Sequence, residues 1–267
     1  MYKQLYQLKR DPFSKDLPTG DAYQSTDFIQ CSARLDYLAQ TRGLALIVAA
    51  PGFGKSFTLK AFAEKQNVNI TKVIYICLST VSTMEFYRQL TVALGLEPRF
   101  HKTDMFRAIQ ECIDYLHVNK RIHLVVIIDE AQYLNTEILR ELKLLMNFNY
   151  DSASRFSVVL AGQPSLADTL SRQVYESVRQ RIAVNYTFSG ITLTEAEEYA
   201  AKMLADAGGS STLFDSASIL AAFNSSNGSI RVFGQILQTA LSIGAQNNAM
   251  SIDTEMIMAA VSEIAIK

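Results

Sequence analysis

The chain has 267 residues, 49% of them hydrophobic, enough to bury more than one compact core. Charged residues make up 19%, and 25 Lys+Arg against 26 Asp+Glu leave a formal net charge of -1, which excludes a disordered chain and a basic, histone-like tail but leaves room for a local basic stripe. Cys31, Cys77 and Cys112 lack metal-ligand spacing and read as apolar fillers in a reduced, cytoplasmic setting. The amino terminus lacks a signal-peptide pattern and no apolar run nears the roughly 20 residues of a membrane helix, so a soluble protein is expected.

In chain order, an amino-terminal arm (1–27) comes first. Its Tyr6, Pro12, Phe13 and Tyr23 are expected to dock intramolecularly on the core rather than bridge to a neighbouring copy. Short β-branched apolar runs at 44–48, 73–78, 124–128, 158–161 and 182–188 then alternate with amphipathic segments at 55–64, 83–94, 103–117 and 136–146. Apolar runs separated by helices predict a mostly parallel sheet covered on both faces. Ser82 with Glu85 offers a capping box to the second helix, whose Phe86, Leu90 and Leu94 share one face. In the third helix Phe106, Ile109 and Ile113 form the stripe, and Arg107 faces away. No proline follows Pro164, which permits a helix-rich carboxy-terminal region. There Thr194 and Glu197 form a capping box before a helix ending at Gly208 and Gly209, with more helices near 215–223, 229–243 and 252–264. The expected architecture is a three-layer α/β core (28–190) followed by an all-helical domain (191–267).

The first run leads into Ala49-Ala50-Pro51-Gly52-Phe53-Gly54-Lys55-Ser56, and a helix pattern starts at once. This fits the phosphate-loop pattern G-x-x-x-x-G-K-[ST], with Ala49 in place of the first glycine. A glycine-rich turn lets backbone N–H groups surround phosphate oxygens, and the following helix adds its positive end. The spacing predicts ATP held by Pro51, Gly52, Phe53, Gly54, Lys55, Ser56 and Phe57. Lys55 would reach the β- and γ-phosphates and the Ser56 hydroxyl would ligate Mg²⁺. Ala49 is harmless if it keeps ordinary backbone angles.

The third run ends in Asp129-Glu130. Alone, two acids merely close a buried strand; with the phosphate loop, Asp129 holds Mg²⁺ through water and Glu130 polarises the attacking water. Adjacent strand residues point to opposite sides, so the twist at the strand's end is expected to aim both at the cleft. Gln163, after the fourth run, is either a γ-phosphate sensor or a simple turn residue. Arg179 and Arg181, before the fifth run, are an arginine-finger pair that the sequence does not separate, the alternative being two solvated arginines. Arg231, opening a later helix, either folds over the nucleotide or is surface charge.

Together these residues resemble an AAA+ ATPase. More narrowly, YxLKRDPFSK, APGFGKS, IIDEAQYL, LAGQPSL and VRQRI in this order resemble the ExeA-like ATPases, a group similar to the MuB, TniB and TnsC class of transposon ATPases. The resemblance implies a five-stranded core with the phosphate-loop strand central, a helical lid, and nucleotide at homo-oligomer interfaces completed by a neighbour's arginine. The arm would then lie beside the adenine pocket. Transposon relatives assemble on duplex DNA, select target sites and stimulate a transposase. By analogy the loop 80–83 and the segment 99–107 would face DNA through Thr83, Arg99, Lys102, Thr103 and Arg107, with His101 between them. Such phosphate contacts are largely sequence-independent and salt-sensitive; the alternative is a solvated helix cap. Secretion-linked ExeA proteins continue beyond the ATPase into a membrane span and a wall-binding domain. The chain's end at Lys267 therefore favours transposition over the alternative, protein remodelling in secretion-complex assembly.

Overall fold

The computed structural model describes residues 2–14, 18–77, 82–148 and 154–265. After a short helix α1 (Tyr2–Leu5), the elements are α2 (Thr26–Thr41), β1 (Gly43–Val48), α3 (Lys55–Lys65), β2 (Thr71–Cys77), α4 (Thr83–Leu94), α5 (Lys102–Asp114), β3 (His123–Asp129), α6 (Thr136–Leu145), β4 (Phe156–Gly162), α7 (Pro164–Ser171), α8 (Glu176–Arg179) and β5 (Ile182–Thr187). Four more helices follow, α9 (Leu193–Asp206), α10 (Ser216–Ser226), α11 (Ile230–Gln246) and α12 (Thr254–Ile264). The chain divides into two compact units: Gln30–Ala49 with Lys55–Phe188, and Met1–Ile29 with Ala50–Gly54 and Ser189–Lys267.

The first unit is a three-layer α/β fold on a five-stranded parallel sheet of order β2-β3-β4-β1-β5. Every residue of β1, β3 and β4 is buried, because interior parallel strands are covered on both faces. The edge strands differ from the apolar-throughout expectation: Tyr75 and Cys77 of β2 and Asn185 and Thr187 of β5 are exposed. Cys77 is thus no core filler. The phosphate-loop strand β1 is not central either; it lies one in from the edge, and β4 occupies the middle. Strand order is set by how crossovers pack, which local pattern does not report. Leu78, the expected end of the second strand, and Thr80 and Val81 of the proposed DNA loop lie outside the described residues.

Phe86, Leu90 and Leu94 are buried as expected, and Ser82 Oγ accepts the Glu85 N–H to cap α4. In α5, Ile109 and Ile113 are buried in the core with Met105, and half-buried Phe106 packs against it. Helix α2 was not foreseen, although Cys31, Leu35 and Leu38 at i, i+4 and i+7 are fully buried.

In the second unit, α9 to α12 enclose a core around Phe233, Leu237 and Leu241. The capping box of α9 is Thr192 with Glu195, two residues before the expected Thr194 and Glu197. Both frames read T-x-x-E; the earlier one also lets Glu195 accept the Thr26 N–H at 2.6 Å. The arm does dock intramolecularly, on these helices: Tyr6, Leu8 and Phe13 are buried among them, and Lys9 N–H donates to the Ala207 carbonyl at 2.8 Å. Buried Asp27 accepts the N–H groups of Ser189 and Gly190 at 3.0 and 2.9 Å, pinning the segment that leads into α9. Among the described residues no helix is long and apolar enough to cross a membrane.

Candidate active site

Ala49 extends β1 beyond its formal end, with its N–H donating to the Gly162 carbonyl at 3.0 Å and its side chain buried. It is not among the residues with positive φ, so alanine meets the condition the sequence set for it. Gly52 and Gly54 have φ of 84° and 99°, a region costly for any residue with a Cβ, and Phe53 N–H closes the turn on the Ala50 carbonyl at 3.3 Å.

In the sheet-bearing unit, Lys55 opens α3 and its ammonium lies against Asp129, the last residue of β3; their side chains are 9% and 2% exposed. Asp129 Oδ2 also accepts the Ser56 and Tyr75 hydroxyls at 2.8 and 2.7 Å. Burial pushes the Asp129 carboxyl up, but Lys55, Tyr75 and Ser56 outweigh it and hold the group below the usual carboxylate range. The Tyr75 phenol is pushed up, by burial first and by this carboxylate second. Asp129 is therefore ionised, and its charge is the fixed negative point of the site.

Glu130 leaves the strand in the left-handed region, at φ 55° and ψ 33°, which is uncommon for a residue with a side chain. Its N–H donates to Asp129 Oδ1 at 2.8 Å, and its Oε1 lies 3.5 Å from Lys55 Nζ. The backbone reversal at Glu130, and not strand twist alone, brings both acids to one lysine. Glu130 Oε2 accepts the Gln132 amide N–H at 2.6 Å, and Gln132 Oε1 accepts the backbone N–H of Gln163 at 3.1 Å. Gln163 is half-buried at the N-cap of α7.

The structure thus gathers Lys55, Ser56, Asp129 and Glu130 and adds two residues the sequence reading missed. Tyr75 carried only a weak signal, as a hydroxyl on an apolar strand. Gln132 sat in plain view two residues after Glu130, but nothing in the pattern says which way an amide points. Ser56 Oγ and the Asp129 carboxylate are the hard oxygen donors that Mg²⁺ takes alongside phosphate oxygens and water, so the residues present fit that ion.

The other expected residues make separate contacts. Arg179 is engaged with the end of α7, its Nη1 donating to the carbonyls of Leu170 and Ser171 at 2.9 and 2.6 Å. Arg181 Nη2 donates to the side-chain oxygen of Asn147. Lys102 pairs with Glu141 at 2.8 Å, and Thr83 Oγ1 donates to Glu137 at 3.3 Å; Arg99, His101, Thr103 and Arg107 are exposed. Phe57 is half-buried on α3.

In the helical unit, exposed Arg231 donates its backbone N–H to the Gly52 carbonyl at 3.2 Å. A Cβ on Gly52 would lie 2.3 Å from Ser229 Oγ. The Phe53 ring fills the space beside Gly190 and Gly228: a Cβ on Gly190 would come within 2.9 Å of the ring and 2.7 Å of the Gly228 carbonyl. Loop residues 50–54 are thus moulded by α11 and by two glycines far away in sequence.

Residues 38–170 match the AAA domain family. The chain is 26% identical over 245 residues to general secretion pathway protein A of Aeromonas hydrophila, covering 90% of this chain and 44% of that protein. It is 25% identical over 183 residues to the ATP-dependent target DNA activator B of Escherichia phage Mu, covering 64% and 54% respectively. The chain therefore spans about half the length of these curated relatives. Among solved structures, Cdc6p from Pyrobaculum aerophilum superposes with a TM-score of 0.71 at 16% identity, over 96% of this chain and 72% of that one. Residues 38–170 belong to the AAA domain family, and the chain has the AAA+ fold, with ExeA-like and MuB-type ATPases as its relatives.

Proposed function

We propose that this chain is an ATP hydrolase that assembles on duplex DNA and regulates transposition, selecting target sites and stimulating a transposase. The convergence of Lys55, Ser56, Asp129 and Glu130 carries the hydrolytic part. In this reading residues 28–190 are the ATPase core and 191–267 its lid. Pro51 to Phe57 hold the nucleotide, with Lys55 against the β- and γ-phosphates. Ser56 and, through water, Asp129 hold Mg²⁺, which when bound neutralises charge developing on the phosphates. Because Asp129 stays ionised, it holds a cation without first losing a proton. Glu130 orients the attacking water and accepts its proton, and Gln163 lies toward the γ-phosphate. Arg231 reports nucleotide state to the lid. Arg179 or Arg181 of a neighbouring copy supplies positive charge to the transition state, so the homo-oligomer completes the site.

The DNA part is supported by similarity to a phage protein named as a target DNA activator, and by the exposed Arg99, Thr103 and Arg107. Lys102 contributes less charge to it, since Glu141 offsets its ammonium. A second reading, protein remodelling in secretion-complex assembly, is favoured by the likeness to the Aeromonas protein over 90% of the chain. Sedimentation and electron microscopy with duplex DNA and a non-hydrolysable ATP analogue separate the two. Long DNA-dependent assemblies that dissolve as salt is raised are expected. Identical behaviour with and without DNA at low salt would favour protein remodelling.

A further inference from the structure

We propose that Gln132 is a positioning residue that clamps the Glu130 carboxylate to the β4–α7 junction, so that the junction carrying Gln163 sets where the base points. This rests on the reading of Glu130 as the base. Glu130 is itself left-handed in its backbone, with no strand beyond it to fix its side chain. Its two oxygens are instead held from outside, Oε1 by Lys55 at 3.5 Å and Oε2 by Gln132 at 2.6 Å. Lys55 is also the group assigned to the phosphates, which leaves Gln132 as the partner dedicated to the base.

The orientation of the Gln132 amide is not arbitrary. A backbone N–H only donates, so Oε1 must face Gln163, which turns Nε2 to Glu130. Reversing the amide would break both bonds. The 3-10 turn Ala131–Tyr133 carries Gln132 into position, and Gly162 makes the room. Gly162 is not among the glycines with positive φ, so its lack of a side chain does not serve the backbone. It serves space: a Cβ there would come 2.7 Å from Gln132 Oε1, 2.9 Å from Leu166 Cδ2 and 3.3 Å from the Gln132 backbone nitrogen. Three features of the chain, a reversed glutamate, an amide of fixed sense and a glycine needed only for clearance, thus converge on one contact. A displacement at the end of β4 is carried through Gln132 to the carboxylate.

The test uses the full chain with Mg²⁺, ATP and duplex DNA. Gln132→Leu neither donates to Glu130 nor accepts from Gln163 and adds no charge beside the carboxylate, so it cuts the clamp. Turnover is expected to fall about 10- to 100-fold, as small misplacements of reacting groups do, with affinity for a fluorescent ATP analogue unchanged. In a Glu130→Gln background the same substitution should change turnover no further, since Gln132 acts only through the base. Full turnover by Gln132→Leu, or an equal further loss in the double variant, overturns the clamp while leaving the base assignment intact. Full turnover by Glu130→Gln alone would overturn the base assignment and the clamp with it.

Discussion

His123 opens β3 as a neutral imidazole, and acid should find it. The residue is 6% exposed. Its Nδ1 faces Arg42 Nε at 3.2 Å, a group that only donates, so Nδ1 carries no proton. The proton sits on Nε2 and is directed at Ser157 Oγ 3.0 Å away, whose own hydrogen goes to the Leu38 carbonyl at 3.2 Å. Burial, then the Arg42 charge and His117, push the His123 pKa from 6.5 down to about 4. Arg155 and Asp114 also face this cluster from the start of β4 and the end of α5. Between those two pH values the unfolded chain binds a proton that the folded chain refuses, so stability is intact above about pH 6.5 and declines as pH falls toward 4. A shift of this size, discounted for partial solvent access, corresponds to roughly 2–3 kcal/mol. His123→Asn keeps an acceptor for Arg42 but has no such titration. Urea unfolding followed by circular dichroism at several pH values, for both proteins, isolates the effect, because their shared carboxylates cancel in the difference. The wild-type advantage should shrink by that amount from pH 7 to 4.5. A difference independent of pH would refute the buried neutral imidazole.

Lys55→Ala should abolish detectable binding of a fluorescent ATP analogue and strand Asp129 without its counter-charge, lowering stability by roughly 3 kcal/mol; adding Asp129→Asn should recover part of the stability and none of the binding, and nucleotide affinity equal to wild type in Lys55→Ala would reject the phosphate-loop assignment. For the arginines, mixing Arg181→Ala with Asp129→Ala subunits should restore some turnover if the finger acts in trans. Arg179→Ala should instead cost about 1–2 kcal/mol in thermal unfolding, since it removes the donor to two carbonyls at the end of α7. No recovery at any mixing ratio would point to Arg179 or to a role within one copy.

The interior strands were legible because residues covered on both faces must be apolar at every position, and 44–48, 124–128 and 158–161 are. Edge strands obey a looser rule, so Tyr75, Cys77 and Asn185 escaped it. Helix α2 hid behind its polar surface, although Cys31, Leu35 and Leu38 keep helical spacing. The α9 capping box illustrates a different limit: Thr192-Glu195 and Thr194-Glu197 are equal as strings, and only the distant Thr26 N–H favours the first. The acids were found through the phosphate loop upstream. What brings them together is a left-handed φ at Glu130, which glutamate adopts seldom enough that no spacing rule predicts it. Gln132 shows the same boundary, since its identity is in the sequence and its direction is not.

The contact of Phe53 with Gly190 and Gly228 bears on how such a protein drifts over evolutionary time. Gly190 is held bare twice over, by its φ of 85° and by the ring and the Gly228 carbonyl, whereas Gly228 meets the ring at ordinary contact distance and stays bare for its φ of 77°. Positions 53 and 190, 137 residues apart along the chain, therefore constrain each other, while position 228 is fixed by its own backbone. Transplanting residues 49–56 into another scaffold would carry the loop's sequence but leave behind the mould that gives residues 50–54 their shape.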